Sequence, residues 1–164
     1  SNRGILSTIR RFAKYGKPIH FTETTICSGQ KVKSGTGLKW QETNPADEAV
    51  QADDVERFYT TIYSCPAVEA LTWWDFSDKN AWLGAPAGLV RKDLSPKPAY
   101  ARLKKLIKGA WLTRTKAITD ENGKVKLRGT LGTYSITVVT PDGKITLEKM
   151  ELTSEDRQVT IGVK

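Results

Sequence analysis

The sequence predicts an α/β segment over residues 1–110, followed by an all-β segment over residues 111–164. The first part alternates helix-like and strand-like patterns, which is typical of parallel strands joined by helical crossovers. The second part contains short stretches of alternating apolar and polar residues, separated by turn signals such as Pro141-Asp142-Gly143. Two parallel strands do not make a stable sheet alone. We therefore expect the α/β segment to be a piece of a larger domain, or to complete its core with a partner.

Composition argues against several classes of function. The chain has 164 residues, a net charge of +8, and 38% hydrophobic and 27% charged residues, which is typical of a globular protein. No run of about 18 apolar residues is present, so we expect no membrane contact. The basic residues follow no nucleic-acid-binding motif, so we expect no nucleic-acid partner. Two cysteines and one histidine do not make a metal-ligand cluster, and we expect no metal and no cofactor.

The first helix and strand bring an acid to the C-terminal end of a strand. The predicted helix spans residues 4–15, and a short buried strand follows and presents Glu23 at its tip. Strand alternation places Glu23 on the same side as Phe21 and His20 on the other side, which predicts a core or helix-facing His20. Catalytic groups of parallel α/β barrels lie at such strand ends. Most exposed acids have no catalytic role, however, so Glu23 needs further support.

The segment after this strand, residues 28–43, is predicted to be a long loop rich in Gly, Ser, Thr and Lys. Trp40 is its single large aromatic residue. A long loop after a barrel strand lies at the active-site face, which makes Trp40 a candidate substrate-binding residue. A mobile surface loop with Trp40 tucked beneath it explains the pattern equally well.

The next helix has clear start and stop signals. Asn44 is the predicted N-cap, Pro45 suits the first helical position, and Pro66 prevents the helix from continuing. Cys27 follows the C-terminal end of the first strand, whereas Cys65 precedes the second strand and so lies at the opposite end. A six-residue strand spans about 20 Å, and a disulfide needs Cα atoms within about 7 Å. We therefore expect no disulfide within the chain.

A second strand and a last helix complete the α/β part. The strand is predicted over residues 68–76, with Trp73 and Trp74 on opposite sides. A loop that holds Trp82 follows it. Ser95 is the candidate N-cap of the last helix. The order of elements is thus helix, strand, helix, strand, helix.

The all-β part is predicted to be a small antiparallel β-sandwich of about five strands. The strands are expected near residues 111–118, 124–129, 133–140, 144–152 and 157–163. Its aromatic residues, Trp111 and Tyr134, could form a carbohydrate-binding platform. A packing or spacer domain accounts for them better, because both are readily used as core residues.

Four segments of the α/β part stand out: Pro18-Ile19-His20-Phe21-Thr22-Glu23, Gln51-Ala52, the stretch from Leu71-Thr72-Trp73-Trp74 to Trp82, and Gly88-Leu89-Val90 with Pro96-Lys97-Pro98-Ala99-Tyr100. Together they resemble the C-terminal part of a glycoside hydrolase family 10 barrel, the xylanase family. The resemblance implies the last two βα units of a TIM (β/α)8 barrel. It also implies a retaining glycosidase that acts on xylan or a related β-1,4-linked polysaccharide.

The resemblance implies roles for individual residues. Glu23 matches the catalytic nucleophile, and Trp74 and Trp82 match walls of the sugar-binding cleft, where indole faces stack on pyranose rings. The family's acid/base Glu lies in an Asn-Glu pair that is absent from this sequence, and Thr25 stands where the family has an Asp. We therefore expect the chain to carry the nucleophile half of the site and to be inactive alone. The missing N-terminal barrel portion or self-association would supply its partner.

A second class of function remains open. The chain could be a non-catalytic carbohydrate-binding or structural module that keeps the barrel remnant only as a scaffold. An intact Asn-Glu partner elsewhere in the parent protein would favour the enzyme. Because polymeric substrates lie outside the cell, we expect the parent protein to be secreted or extracellular.

Overall fold

The computed structural model describes residues 2–35, 37–153 and 160–162. It divides into two compact units, one ending at Leu106 and the other beginning at Ile107. The first unit contains helices α1 (Asn2–Ala13), α2 (Pro45–Tyr63) and α3 (Pro98–Lys105) and strands β1 (Ile19–Thr24), β2 (Lys31–Ser34), β3 (Gly37–Trp40) and β4 (Val68–Trp73). A short 3₁₀-helix, Trp82–Gly84, follows β4, and a π-helical turn, Leu106–Ala110, follows α3. The second unit contains strands β5 (Gly132–Val139) and β6 (Ile145–Leu152).

Strands β1 and β4 pair in parallel, as the alternation of helices and strands predicts. Helix α2 is the crossover between them, and it also contacts α3. The register shifts twice along the pair, between Ile19 and His20 and between Phe21 and Thr24. In the described residues the two strands form a two-stranded sheet, so each has one edge without a ladder partner there.

The core of the first unit joins α2, α3 and the loop after β4. Its buried members are Ala52, Val55, Leu89, Ala99 and Leu103. Aromatic contacts extend it to the sheet, with ring centroids 5.9 Å apart for Phe21 and Phe58 and 6.2 Å apart for Tyr59 and Trp73. Burial raises the pKa of Tyr59 to about 12. Phe21 and Trp73 therefore mark the side of the sheet that faces the helices.

The helix ends follow local chemistry, with one exception. Asn44 Oδ1 accepts hydrogen bonds of 3.0 Å from the Ala46 and Asp47 amides, which confirms it as the N-cap of α2. Ser95, in contrast, does not cap α3, which begins at Pro98. Its amide and hydroxyl donate instead to Asp93 Oδ1, so the serine is used in a turn before the helix.

Two strand boundaries differ from the prediction. The segment predicted to be a loop, residues 28–43, contains an antiparallel hairpin of β2 and β3, in which Lys31 pairs with Trp40. Alternation over such short strands is too weak a pattern to separate a hairpin from a polar loop. Strand β4 ends at Trp73, three residues earlier than predicted, because the chain bends at Trp74.

The second unit contains an antiparallel hairpin in which β5 and β6 pair from Gly132 and Leu152 to Val139 and Ile145. Residues 111–118 and 124–129 are not strands, contrary to the prediction. The fifth predicted strand, 157–163, lies largely outside the described residues. The sandwich is therefore not confirmed.

Threonine side chains, rather than a strand ladder, join the beginning of the first of these two stretches, residues 111–118, to Thr130, the residue that follows the second. Thr113 Oγ1 accepts a 3.1 Å hydrogen bond from the Thr130 amide, and Thr130 Oγ1 donates to the Trp111 carbonyl at 3.0 Å. The Tyr134 hydroxyl donates to the Thr130 carbonyl at 2.5 Å. Side chains that bind backbone groups in this way compete with ladder formation.

Two kinds of feature are absent from the described part of the chain. No helix in it is long and apolar enough to cross a lipid bilayer. No group of three His, Cys, Asp or Glu residues in it could hold a metal ion.

Candidate functional site

A β-bulge near the end of β1 determines where Glu23 points. Phe21 pairs with Leu71 and Thr24 pairs with Trp73, so β1 has one residue more than β4 in this interval. Phe21 packs on α2 and Thr24 is buried, whereas Glu23 is exposed. The predicted sharing of a side by Glu23 and Phe21 is wrong, because the extra residue reverses the alternation. The bulge thus leaves an exposed carboxylate at the C-terminal end of the strand.

Trp74 begins the loop after β4, beside the end of β1. Its amide donates a 3.0 Å hydrogen bond to the Thr24 carbonyl, and its side chain is 46% exposed. Trp73 lies on the helix side against Tyr59, and its Nε1 donates to the Ala87 carbonyl at 3.1 Å. The two neighbouring tryptophans therefore have different roles, one in the core and one at the surface.

Trp82 lies further along the same loop, in the 3₁₀-helix. Its side chain is 63% exposed, and its amide donates to Asp75 Oδ2 at 3.2 Å. Leu83, directly after it, has a φ of 55°, in the left-handed region that a leucine seldom adopts, and Asn80, a residue type that tolerates this region, has a φ of 60°. The surrounding loop must impose this strained backbone, and strain of this kind is frequent at ligand sites.

Trp40 is placed in the hairpin that follows β1. It is half-buried, and Lys31 Nζ lies 5.2 Å from its ring centroid, a cation–π distance. The two residues are register partners across β2 and β3. The ring contact of Trp40 is therefore made within its own hairpin.

His20 is exposed on β1, so the predicted core or helix-facing position is wrong. Its Nε2 lies 2.8 Å from Glu69 Oε2 on β4. The first register shift leaves Glu69 as an extra residue opposite His20, since Ile19 pairs with Val68 and His20 with Ala70. Both side chains then occupy the exposed part of the sheet.

A buried ion pair lies beneath the loops that carry these residues. Lys97 Nζ lies 2.7 Å from Asp78 Oδ2, with the two side chains 0% and 5% exposed. Lys97 Nζ also donates to Ser28 Oγ at 3.0 Å and to the Pro86 carbonyl at 3.3 Å. Asp78 Oδ1 accepts from the Gly88 amide at 2.7 Å. The pair therefore joins the loop after β1, which holds Ser28, to the loop after β4.

A second set of polar contacts ties α2 to the same loops. The buried Glu48 carboxylate binds Arg91 in a fork, with 2.8 Å to Nε and 2.5 Å to Nη2, and this hydrogen bonding raises the pKa of Arg91. Gln51 Nε2 donates to the Ile26 carbonyl at 2.7 Å and to the Gly88 carbonyl at 3.4 Å. Helix α2 therefore makes hydrogen bonds to both the loop after β1 and the loop after β4.

Sequence reasoning missed these buried polar residues. The string around Lys97 marks the family resemblance, but lysine is almost never fully buried unless it is paired, so nothing predicts its burial. No local pattern links Asp78 or Glu48 to cations that lie far along the chain. The one signal that could have found them is a lysine or arginine and an acid that lie in two different loops at the ends of the strands and so could form an ion pair.

Gly88 is a position where any side chain should be destabilising. A Cβ there would lie 2.5 Å from the Asp78 nitrogen and 2.6 Å from the Ser77 carbonyl carbon, both of them backbone atoms. Because the loop would have to shift, we expect Gly88→Ala to lower the free energy of unfolding by about 1–3 kcal/mol. Urea unfolding followed by tryptophan fluorescence measures the change. Gly37→Ala, where a Cβ meets no atom within 4 Å, is the control, and an equal loss in both variants would contradict the argument.

The arrangement offers a defined chemistry. Because β1 and β4 are parallel, Glu23 and the loop with Trp74 and Trp82 lie at the same end of the sheet. An exposed carboxylate can act as a nucleophile or base, and exposed indoles offer flat apolar faces with one donor each. The ion pairs of Lys97 with Asp78 and of Glu48 with Arg91 hold the loops and make no use of the Glu23 carboxylate or of the exposed indoles.

Comparison with known proteins identifies the first unit. The model of glycosyl hydrolase family 10 matches residues 1–106. The anti-sigma-I factor RsgI6 of Acetivibrio thermocellus is 37% identical over 95 residues, which cover 58% of this chain and 12% of that protein. The endo-1,4-beta-xylanase 1 of Arabidopsis thaliana is 26% identical over 164 residues, covering 97% of this chain and 15% of that protein. The chain thus spans less than a fifth of the length of these curated relatives.

Solved structures share the fold of part of the chain. Xylanase 10B from Thermotoga petrophila, solved with xylobiose, matches with a TM-score of 0.55 at 22% identity, covering 67% of this chain and 32% of that chain. Xylanase B from Clostridium stercorarium matches with a TM-score of 0.52 at 20% identity, covering 63% and 32%. Part of this chain therefore has the fold of part of a TIM barrel.

Proposed function

Because the chain belongs to glycosyl hydrolase family 10, we propose that it carries the nucleophile half of a retaining glycosidase site. Its substrate is xylan or a related β-1,4-linked polysaccharide. The observation that carries the proposal is the bulge in β1, which leaves the Glu23 carboxylate exposed at the C-terminal strand end. In parallel barrels this end is where the reacting groups lie.

Glu23 is the proposed nucleophile. It attacks the anomeric carbon of the bound sugar while a second carboxyl group protonates the leaving oxygen, and water then hydrolyses the glycosyl-enzyme. That second group has to lie about 5–5.5 Å away. Asp78 is not suited to the role because it is buried against Lys97, and Asp75 accepts the Trp82 amide. The proposed acid/base is therefore a carboxyl group from another part of the barrel, as the resemblance implies for the family's Asn-Glu pair.

Trp74 and Trp82 are the proposed walls of the cleft. Their indoles are exposed at the strand end that carries Glu23. Apolar ring faces complement the C–H faces of pyranose rings, and the indole N–H can bond a hydroxyl. The left-handed backbone at Leu83 supports the proposal for Trp82, since strain persists where a ligand site requires it. Trp40 is proposed as a more distant sugar contact on its hairpin.

The partner that completes the site is the rest of a family 10 barrel, or failing that a second copy of this chain. The chain covers 32% of the solved xylanase chains it matches. An apolar groove between α1 and β1 is lined by Ile9, Phe12, Ile19 and Phe21, and Phe12 is more than half exposed. A neighbouring βα unit would cover such a groove and would pair with the free strand edge.

The setting of the parent protein follows from the proposed substrate. Xylan is a polymer that stays outside the cell, so the parent is proposed to be secreted or extracellular. For the second unit we propose a packing or spacer role, because Tyr134 is half-buried and bonded to Thr130 rather than presented to a ligand.

The alternative function is a non-catalytic glycan-binding module. The observation that favours it is the 37% identity to a protein named as an anti-sigma factor, which is a regulator and not an enzyme by name. In that case the exposed indoles would still bind a glycan, but Glu23 would perform no chemistry. The two functions make different predictions for a mixture of this chain with the rest of a family 10 barrel: the enzyme should hydrolyse the glycan, and the binding module should not.

The test measures hydrolysis before and after completion of the barrel. We expect no turnover of xylan or an aryl xyloside by the purified chain, because a retaining mechanism needs two carboxyl groups. Mixing with a separately made N-terminal portion of a family 10 barrel should produce activity. Turnover by the chain alone that Glu23→Gln abolishes would overturn the half-site proposal. Binding of xylo-oligosaccharides without turnover in the mixture would favour the alternative.

A further inference from the structure

We propose that Lys97 is the positioning residue of this site, and that its buried ammonium fixes the loop of Trp82 relative to the strand end of Glu23. The inference rests on the proposed function, in which these two residues act on one glycan. Lys97 touches no substrate in this scheme. It acts through the loops that follow β1 and β4.

The ammonium of Lys97 has three N–H donors and three acceptors within reach. Asp78 Oδ2 lies at 2.7 Å, Ser28 Oγ at 3.0 Å and the Pro86 carbonyl at 3.3 Å. Ser28 belongs to the loop that leaves β1 after Glu23, and Asp78 and Pro86 belong to the loop that leaves β4. One charged group therefore bridges two segments that are distant in sequence.

The contacts hold both flanks of Trp82. Asp78 precedes Trp82 in the loop, and its Oδ1 also accepts the Gly88 amide at 2.7 Å. Pro86 follows Trp82, and its carbonyl accepts from both the amide and the hydroxyl of Ser28, each at 2.9 Å. The exposed indole thus lies on a segment whose two ends are both anchored to the loop after β1.

The backbone of Lys97 is itself held by the start of a helix and by a hydrogen bond. It is the N-cap residue of α3, and its amide donates to the Leu89 carbonyl at 3.0 Å. Its side chain is completely buried. A buried ion pair is weak as a source of stability, because desolvation of the charges offsets much of their attraction. Hydrogen bonds of fixed direction, in contrast, specify one loop geometry, which is the role that we infer here.

The first test measures loop opening directly in the full-length chain. Asp78→Asn with Lys97→Met keeps an acceptor for Gly88 and leaves no unpaired charge, so this double variant should fold. Hydrogen exchange should then accelerate about tenfold in residues 26–30 and 76–90, and not in the middle of α2. Lys104→Met, which removes an exposed lysine of α3, is the matched control. Unchanged exchange in both loops, or an equal acceleration in α2, would overturn the proposal.

Cys27 provides a second, chemical readout of the same loop. Burial raises the pKa of its thiol, and Lys97 and Asp78 act on that pKa in opposite directions. Because the double variant removes both charges, a faster reaction of Cys27 reports opening rather than electrostatics. In a Cys65→Ser background, alkylation by iodoacetamide should accelerate about tenfold. Ser28→Ala, which removes only the bridging hydroxyl, should give a smaller acceleration in the same direction.

The third readout separates positioning from general stability. The reassembled barrel is this chain mixed with a separately made N-terminal portion of a family 10 barrel. In it, the double variant should raise KM for xylo-oligosaccharides by about tenfold at temperatures well below the unfolding midpoint of the variant. If Lys97 acts through Trp82, adding Trp82→Ala should produce little further change, because the two effects share one cause. Independent, additive effects would overturn the proposal. If the reassembled wild type shows no activity, the proposed function fails, and the exchange and alkylation results still decide whether Lys97 holds the loops.

Discussion

Glu23→Gln should reduce hydrolysis by the reassembled barrel by roughly 10⁴-fold or more, since the reaction then has no nucleophile. The reassembled barrel is this chain mixed with the separately made N-terminal portion. An amide of the same shape cannot form the glycosyl-enzyme, whereas the indoles of Trp74 and Trp82 are untouched. Binding of xylo-oligosaccharides, measured by calorimetry, should therefore stay close to the wild-type value while the initial rate on an aryl xyloside collapses.

The control for this prediction is another exposed acid on the same sheet. Glu69 lies on β4 opposite His20 and has no proposed part in the reaction, so Glu69→Gln should leave the rate nearly unchanged. Glu23→Ala offers a stricter check, because an added azide ion can enter the vacated space and attack the anomeric carbon. Recovered turnover with a glycosyl azide of inverted configuration is expected. A Glu23→Gln enzyme with wild-type turnover would exclude Glu23 as the nucleophile.

Lys97→Met should lower the free energy of unfolding by about 3–5 kcal/mol, because it leaves the Asp78 carboxylate buried without a counter-charge. That is a large share of the roughly 5–15 kcal/mol that holds a typical domain folded. Urea unfolding followed by circular dichroism measures the loss. The side chain of Met fills much of the space of the lysine stem, so the effect reports charge more than packing.

The double variant tests this account of the loss. Combining Lys97→Met with Asp78→Asn should recover much of the stability, because no isolated charge remains and Asn can still accept the Gly88 amide. Lys104→Met should change the free energy of unfolding by less than about 0.5 kcal/mol, as expected for an exposed position. Losses that simply add in the double variant would show that the two side chains do not form a coupled pair.

Several local features of the fold could be predicted from the sequence. The Asn44 cap and the first residue of α2 depend on neighbouring backbone groups, so they are encoded within a few residues and are confirmed. The parallel pairing of β1 and β4 follows from the alternation of element types. The motifs around Glu23 and Trp82 were sufficient to indicate the family, which the match over residues 1–106 confirms.

Other features could not be predicted, for reasons that differ from element to element. The hairpin of β2 and β3 is short and polar, and it lacks the periodicity that distinguishes a strand from a loop. In the second unit, alternation over residues 111–118 and 124–129 was misleading, since neither stretch is a strand, and Thr113 and Thr130 side chains bind backbone groups at the ends of these stretches.

By itself, the sequence determined the chemistry that is available: an acid at the end of β1, tryptophans at the end of β4, and the family to which they belong. Only the tertiary structure decided how these groups are presented. The side on which Glu23 lies depends on a bulge, which is set by pairing with β4 and not by the residues of β1 alone. The burial of Lys97 depends on Asp78, Ser28 and Pro86 meeting around one ammonium. Local hydrogen bonds can be inferred from adjacent residues, whereas contacts between distant segments exist only once the chain has folded.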